Sequence, residues 1–241
     1  MSAVTVVART SLLRAARRPS TWGTGAMAFL PALLGAAMGA SGYGALGVAG
    51  PIAVWVVAPL LAVSLVAGAV GESFERRTMV YWFTRPVSRA SVILGELLAN
   101  AALCAIILAL GGMALAVIHA VTGDATVGAL LRLPAALALE GVALAALSLG
   151  VGVLAPKHPV FVAIGVLVVL EGAFPRLWAP LQYLSMTAHV GWLAGLDSVA
   201  ITAAAGTASA PPWPASLLAI AAFCVVPTLL AVRVATERDL G

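Results

Sequence analysis

The sequence predicts an all-α polytopic membrane protein with six transmembrane helices, and three observations carry that prediction. Of 241 residues, 62% are hydrophobic and only 9% are charged, where a soluble domain carries about 25% charged residues. Charge-free apolar stretches near the ~20 residues that cross a bilayer recur along the chain, with polar punctuation between them. The basic residues mark the ends of those stretches and, with the N-terminus placed inside, fall almost entirely on one side of the membrane. Mean hydropathy is +1.09. So little charge cannot cover a water-facing surface, so lipid is the solvent for most of a single transmembrane domain, residues 1–241.

Residues 1–20 come first. Arg9, Arg14, Arg17 and Arg18 alternate with Val6, Val7, Leu12 and Leu13, a basic amphipathic pattern rather than a charged leader followed by a long apolar core. An N-terminal interfacial helix on the cytoplasmic surface is expected, ended by Pro19. Trp22 to Ala40 is the first span and about Pro51 to Val70 the second. The third runs from about Val92 to Ile118 and the fourth from Leu133 to Leu154. After the turn Pro156, Lys157, His158, Pro159, a fifth run extends from Val160 to Leu170, and the last span covers roughly Ala215 to Val232.

Residues 171–214 form an extracytoplasmic segment. Within it, Leu177 to Ala204 is apolar enough for a seventh span, but it contains Pro180, Gln182, His189, Gly191, Gly195 and Asp197. Two short helices dipping into the membrane between spans five and six are expected there, tolerable where protein or water covers the backbone. With the N-terminus inside, Arg9, Arg14, Arg17, Arg18, Arg76, Arg77, Arg85, Arg89, Lys157, Arg233 and Arg238 lie inside, and only Arg132 and Arg176 outside. That skew favours both termini in the cytoplasm and an even number of spans.

The net charge of +4 does not mark a nucleic-acid partner, because no dense basic run stands beside aromatic residues. Cys104 and Cys224 each lie within an apolar run, where a thiol acts as a small hydrophobe. No CxxC pair or His/Cys cluster suggests a metal site. Small residues such as Gly141 with Ala145 let helices approach closely, and ordinary packing within the chain explains them best.

Three acidic residues lie in or near the spans. Glu140 is roughly 12 Å deep at ~1.5 Å rise per residue, where an ionised carboxylate is costly. It is a candidate for the translocation path or the subunit interface, or else a Glu satisfied by a neighbouring helix. Glu171 and Arg176 are expected to form a structural pair where the fifth helix breaks. Glu96, near the inner end of span three, is expected to snorkel to the cytoplasmic interface.

The informative stretch is Gly71 to Asn100, GESFERRTMVYWFTRPVSRASVILGELLAN. A helix from Glu72 to Phe83 rests Phe74, Val80, Tyr81 and Phe83 on the interface and turns Glu75, Arg76 and Arg77 to the cytoplasm. Arg85 precedes Pro86, so the helix stops and restarts near Ser88. That helix-break-helix design is richer than a topology signal requires.

This stretch resembles the cytoplasmic loop between the second and third helices of ABC-2 type ABC transporter permeases. There an acidic residue, a Thr and an RPVSR-like run precede Leu-Gly. Here the matching positions are Glu72 or Glu75, Thr78, then Arg85, Pro86, Val87, Ser88 and Arg89, with Leu94 and Gly95. Arg77 and Glu96 stand where many relatives carry Gly and Lys. The N-terminal helix, the six spans and the dipping segment extend the resemblance over essentially the whole chain.

The resemblance implies the transmembrane subunit of an ATP-driven exporter in the bacterial cytoplasmic membrane. Residues 72–90 would be its coupling segment, with Glu72, Glu75, Arg76, Arg77, Thr78, Arg85, Pro86, Ser88 and Arg89 contacting a separate ABC ATPase. Two ATPase copies would pair with two permease subunits, as homodimer or heterodimer, and ATP and Mg would sit on the ATPase. The sequence agrees in lacking a GxxxxGK[ST] phosphate loop; its one lysine is Lys157. Two other readings are a non-transporting membrane anchor or assembly protein, and a membrane-embedded hydrolase built from Ser185, His189, Asp197 and His119. No GxSxG elbow or HExxH motif supports the latter.

Overall fold

Apolar runs without internal charge close their backbone hydrogen bonds within themselves, the arrangement lipid demands. In the computed structural model, which describes residues 2–40, 45–67, 88–122, 127–173, 179–196 and 210–237, they become helices, and no strand occurs among the described residues. The N-terminal helix α1 is Ala3–Ala16. Then come α2 (Pro19–Gly39), α3 (Leu46–Ala67) and α4 (Arg89–Thr122). They are followed by α5 (Val127–Leu154), α6 (Pro159–Ala173), α7 (Met186–Ala194) and α8 (Trp213–Glu237).

Among the described residues, five helices have the length and apolarity to cross a membrane: α2, α3, α4, α5 from Leu130, and α8. The expected fifth span, α6, is shorter. It comprises nine α-helical residues and a six-residue π turn, Val168–Ala173, about 22 Å at ~1.5 Å per residue against a hydrocarbon core of ~30 Å. After it come a short 3-10 turn, Ala179–Leu184, and α7, which its own chain buries along most of its length.

The centre of the bundle is α5. Within its apolar window 78% of residues are buried, against 22% in α8, so α5 is wrapped by protein while α8 faces outward. It packs on α4, α8, α7, α6 and α3. Without a hydrophobic force between helices in lipid, such packing depends on close backbone approach. A Cβ at Gly141 would come within 2.9 Å of the Ala105 nitrogen and the Cys104 carbonyl carbon. Only glycine lets α5 and α4 meet there.

Backbone irregularity concentrates on α3 and α6. In α3, Ala53–Val57 and Val63–Ala67 are π-helical, and the Ala58 amide donates to the Ala53 carbonyl, five residues back. Proline accounts for the first of these wide turns. Pro59 has no N–H to offer the carbonyl four residues earlier and its ring would crowd that carbonyl, so the turn widens ahead of it.

Candidate functional site

Four features position the polar and charged side chains, beginning at the end of the bundle where α1 meets α4. Ser2 caps α1 by accepting from the Thr5 amide at 3.3 Å. One face of α1 then packs on α4: Val7 and Ser11 are buried, and the Ser11 hydroxyl donates to Glu96 Oε1 at 2.7 Å. A Cβ at Gly95 would fall 2.6 Å from Val7 Cβ, so Gly95 is the seat for α1. Glu96 is thus tied to the N-terminal helix, where snorkelling was expected. The amphipathic pattern also resolves differently from a single buried apolar stripe, since Val6 and Leu13 are exposed.

At the same end, Ser88 caps α4 by accepting from the Ser91 amide at 3.2 Å. Next to it, Arg89 Nη1 donates to the Ala235 carbonyl of α8 at 3.3 Å. The start of α4 therefore holds both α1 and the last turn of α8. Of the expected coupling residues, only Ser88 and Arg89 are described. Glu72, Glu75, Arg76, Arg77, Thr78, Arg85 and Pro86 lie outside the described residues.

A groove of about 390 Å³ runs between α3 and α6. Trp55, Val56, Pro59, Leu60 and Val63 line one wall, and Ile164, Leu167, Val168, Glu171 and Gly172 the other. Both walls are built from the π-helical turns and their neighbours, which rotate side chains out of the ordinary helical register. Its chemistry is hydrocarbon with one carboxylate at its edge.

That carboxylate anchors a buried polar knot. Glu171 Oε2 accepts from the Ser185 hydroxyl at 2.6 Å, the Thr187 hydroxyl at 2.7 Å and the Thr187 amide at 3.0 Å. Its Oε1 accepts from the Met186 amide at 3.0 Å. Two orphan amides in the first turn of α7 are thereby satisfied by an anion at the positive end of the helix. The expected partner Arg176 lies outside the described residues. Capping of α7 was not anticipated, because Glu171 and the groups that donate to it are separated by a segment without helical periodicity.

His189 extends the knot. Its Nε2 lies 3.0 Å from the Tyr183 carbonyl and its Nδ1 3.1 Å from the Ser216 hydroxyl. A carbonyl only accepts, so Nε2 carries a proton. Trp192 meets the imidazole edge-on at 5.1 Å. Ser185 gives its hydroxyl to Glu171, and His189 is engaged by Tyr183 and Ser216. Ser185 and His189 are therefore not paired with each other as a hydrolase's nucleophile and base would be, and Asp197 lies outside the described residues.

Glu140 is fully buried beside Gly141, and neither carboxyl oxygen has a hydrogen-bond partner among the described residues. The side chain is enclosed by its own chain, so contact with cargo or a second subunit requires the helices around α5 to part. Such unsatisfied burial is costly.

The profile of the ABC-2 family transporter proteins matches residues 21–240. This chain belongs to that family. The match spans every helix after α1 and includes the stretch whose residues carried the resemblance. A search of curated proteins finds no match. Membership makes this ABC-2 protein a multi-pass membrane protein of transport, a permease subunit without catalytic chemistry of its own, whose partner is an ABC ATPase.

Proposed function

We propose that this ABC-2 protein is the permease of an ATP-driven exporter, coupled to its ATPase through residues 72–90. Family membership over residues 21–240 carries the reading. The geometry supports it at the point where coupling would enter the membrane. The helix that follows the coupling segment, α4, is capped by Ser88 and clamps α1 through Ser11 and α8 through Arg89. A push on its first turn therefore reaches both ends of the chain.

In this reading α6 completes six crossings, both termini lie in the cytoplasm of a bacterial inner membrane, and two permeases pair with two ATPases. ATP and Mg belong to the ATPase. An apolar cargo would meet the groove between α3 and α6, and Glu140 would gain a partner or water only when the helices around α5 separate.

Affinity purification of the tagged chain from its native membrane tests the proposal. An ATPase subunit bearing a phosphate loop is expected in stoichiometric amount, with hydrolysis that the reconstituted permease stimulates. Recovery of the chain without such a subunit, under conditions that keep it folded, would contradict it.

A further inference from the structure

The outer face of α1 combines three features no other described helix shares. Arg9, Arg14 and Arg17 are exposed, and among the described residues no carboxylate lies within ion-pair reach of any of them. Val6 and Leu13 are exposed on the same face, at 43% and 47%. At ~100° per residue, Val6, Arg9, Leu13 and Arg17 fall within about 80° of one another, and Arg14 lies about 60° beyond Arg17, at the edge of this face toward Val7. Trp22 stands at the corner where α1 meets α2, 68% exposed, its indole N–H donating to the Ala16 carbonyl at 2.8 Å.

This face cannot roll inward. Val7 and Ser11 on the opposite side are fixed to α4 through Gly95 and Glu96. Glu96, an acidic side chain that contacts α1, is engaged on that opposite side by Ser11, which leaves the arginines without a counter-charge among the described residues. A soluble protein's acidic surface would match the arginines but leave Val6, Leu13 and Trp22 in water. Interleaved basic and apolar side chains with an exposed Trp match the membrane interface, where rings and aliphatic side chains enter the acyl margin and guanidinium groups stay at the headgroups.

We propose that this face of α1 binds anionic phospholipid headgroups, with Arg9, Arg14 and Arg17 on the phosphates. The surface is selective for charge. Guanidinium groups pair with any phosphodiester, but a net negative lipid adds attraction that a zwitterionic one lacks. Each neutralised arginine lowers the preference for anionic lipid about fivefold, and all three lower it on the order of a hundredfold.

The test uses the full chain reconstituted in bilayers mixing phosphatidylglycerol with phosphatidylcholine, then extracted, with retained lipid read by native mass spectrometry. Phosphatidylglycerol is expected to be enriched on the wild type and to lose that enrichment in R9Q/R14Q/R17Q. The lysine triple R9K/R14K/R17K keeps it. Arg233→Gln changes nothing, because Arg233 is already paired with Glu237 at 2.9 Å. If the glutamine triple inserts poorly, salt decides the matter on the wild type, since screening must erase the enrichment. Equal retention of the two lipids by the wild type would overturn the proposal, as would salt-insensitive enrichment. A glutamine triple that keeps its phosphatidylglycerol but loses a co-purifying protein would assign the face to a protein and overturn it equally.

Discussion

Ser11 and Glu96, separated by 85 positions, share a 2.7 Å hydrogen bond that fastens α1 to the inner turns of α4. Beside it Val7 rests over Gly95, where no side chain fits. Gly95→Val therefore overpacks the seat and is expected to cost about 1–3 kcal/mol, and Ser11→Ala about 1–2 kcal/mol through the lost charge-assisted bond. Both variants should insert normally. Trypsin should cut faster after Arg14 and Arg17 in detergent, more so for Gly95→Val, and cleavage at the wild-type rate would show that α1 is held by something else.

Among the described residues Glu171 accepts four hydrogen bonds, all from Ser185, Met186 and Thr187 at the start of α7. Glu171→Ala strands the Met186 and Thr187 amides, each at about 1–3 kcal/mol when buried. Glu171→Gln keeps one acceptor oxygen and should fall between alanine and wild type. Thermal unfolding of the purified protein reads the order. An alanine variant as stable as the wild type would mean that water or another group takes over the cap.

How far the sequence disclosed these arrangements differs by element. The long spans were legible because a run of Leu, Val and Ala without charge has one stable solution in lipid, and α4, α5 and α8 follow their expected ranges to within a few residues. The place of Glu140 well inside a long helix was legible for the same reason, since residues can be counted along a helix. Glu171 was not. Its partners come from across a Pro-containing segment, and its own sequence neighbour Arg176 offered a simpler pairing. The π turns of α3 left no mark in composition beyond Pro59, because Ala, Val and Trp suit an ordinary turn equally well. For α1, spacing announced a basic helix but not which face would be buried; Gly95 on another helix decides that.

Glu140 is buried without a hydrogen-bond partner among the described residues, so its replacements should rank by charge. Glu140→Gln keeps size and polarity and is expected to fold. Glu140→Met removes the unsatisfied oxygens and should equal or exceed wild-type thermal stability, because an apolar group of similar volume carries no desolvation penalty. Glu140→Lys places a fixed charge at depth, at about 2.5–3.5 kcal/mol or more, and should reduce the folded yield sharply. A stable, well-expressed lysine variant would mean that the site opens to water.

Single cysteines in a background lacking Cys104 and Cys224 test the crossing number. A membrane-impermeant thiol reagent applied from outside should label position 125 and spare positions 157 and 237 until the inner face is opened. Labelling of position 237 from outside would make the number of crossings odd and overturn the six-span account.

The central claim is that residues 72–90 couple this permease to an ATPase, and one measurement addresses it most directly: hydrolysis by the ATPase subunit co-reconstituted with wild-type chain or with R76E/R77E. Both chains should insert, because nine of the inside basic residues remain and the spans are untouched. Reversing two charges at a docking rim turns charge-assisted contacts into repulsion. The account predicts that the reversed permease stays in the membrane, no longer co-purifies with the ATPase, and no longer stimulates its turnover. Wild-type co-purification together with wild-type stimulation would contradict it and leave the segment a topology signal.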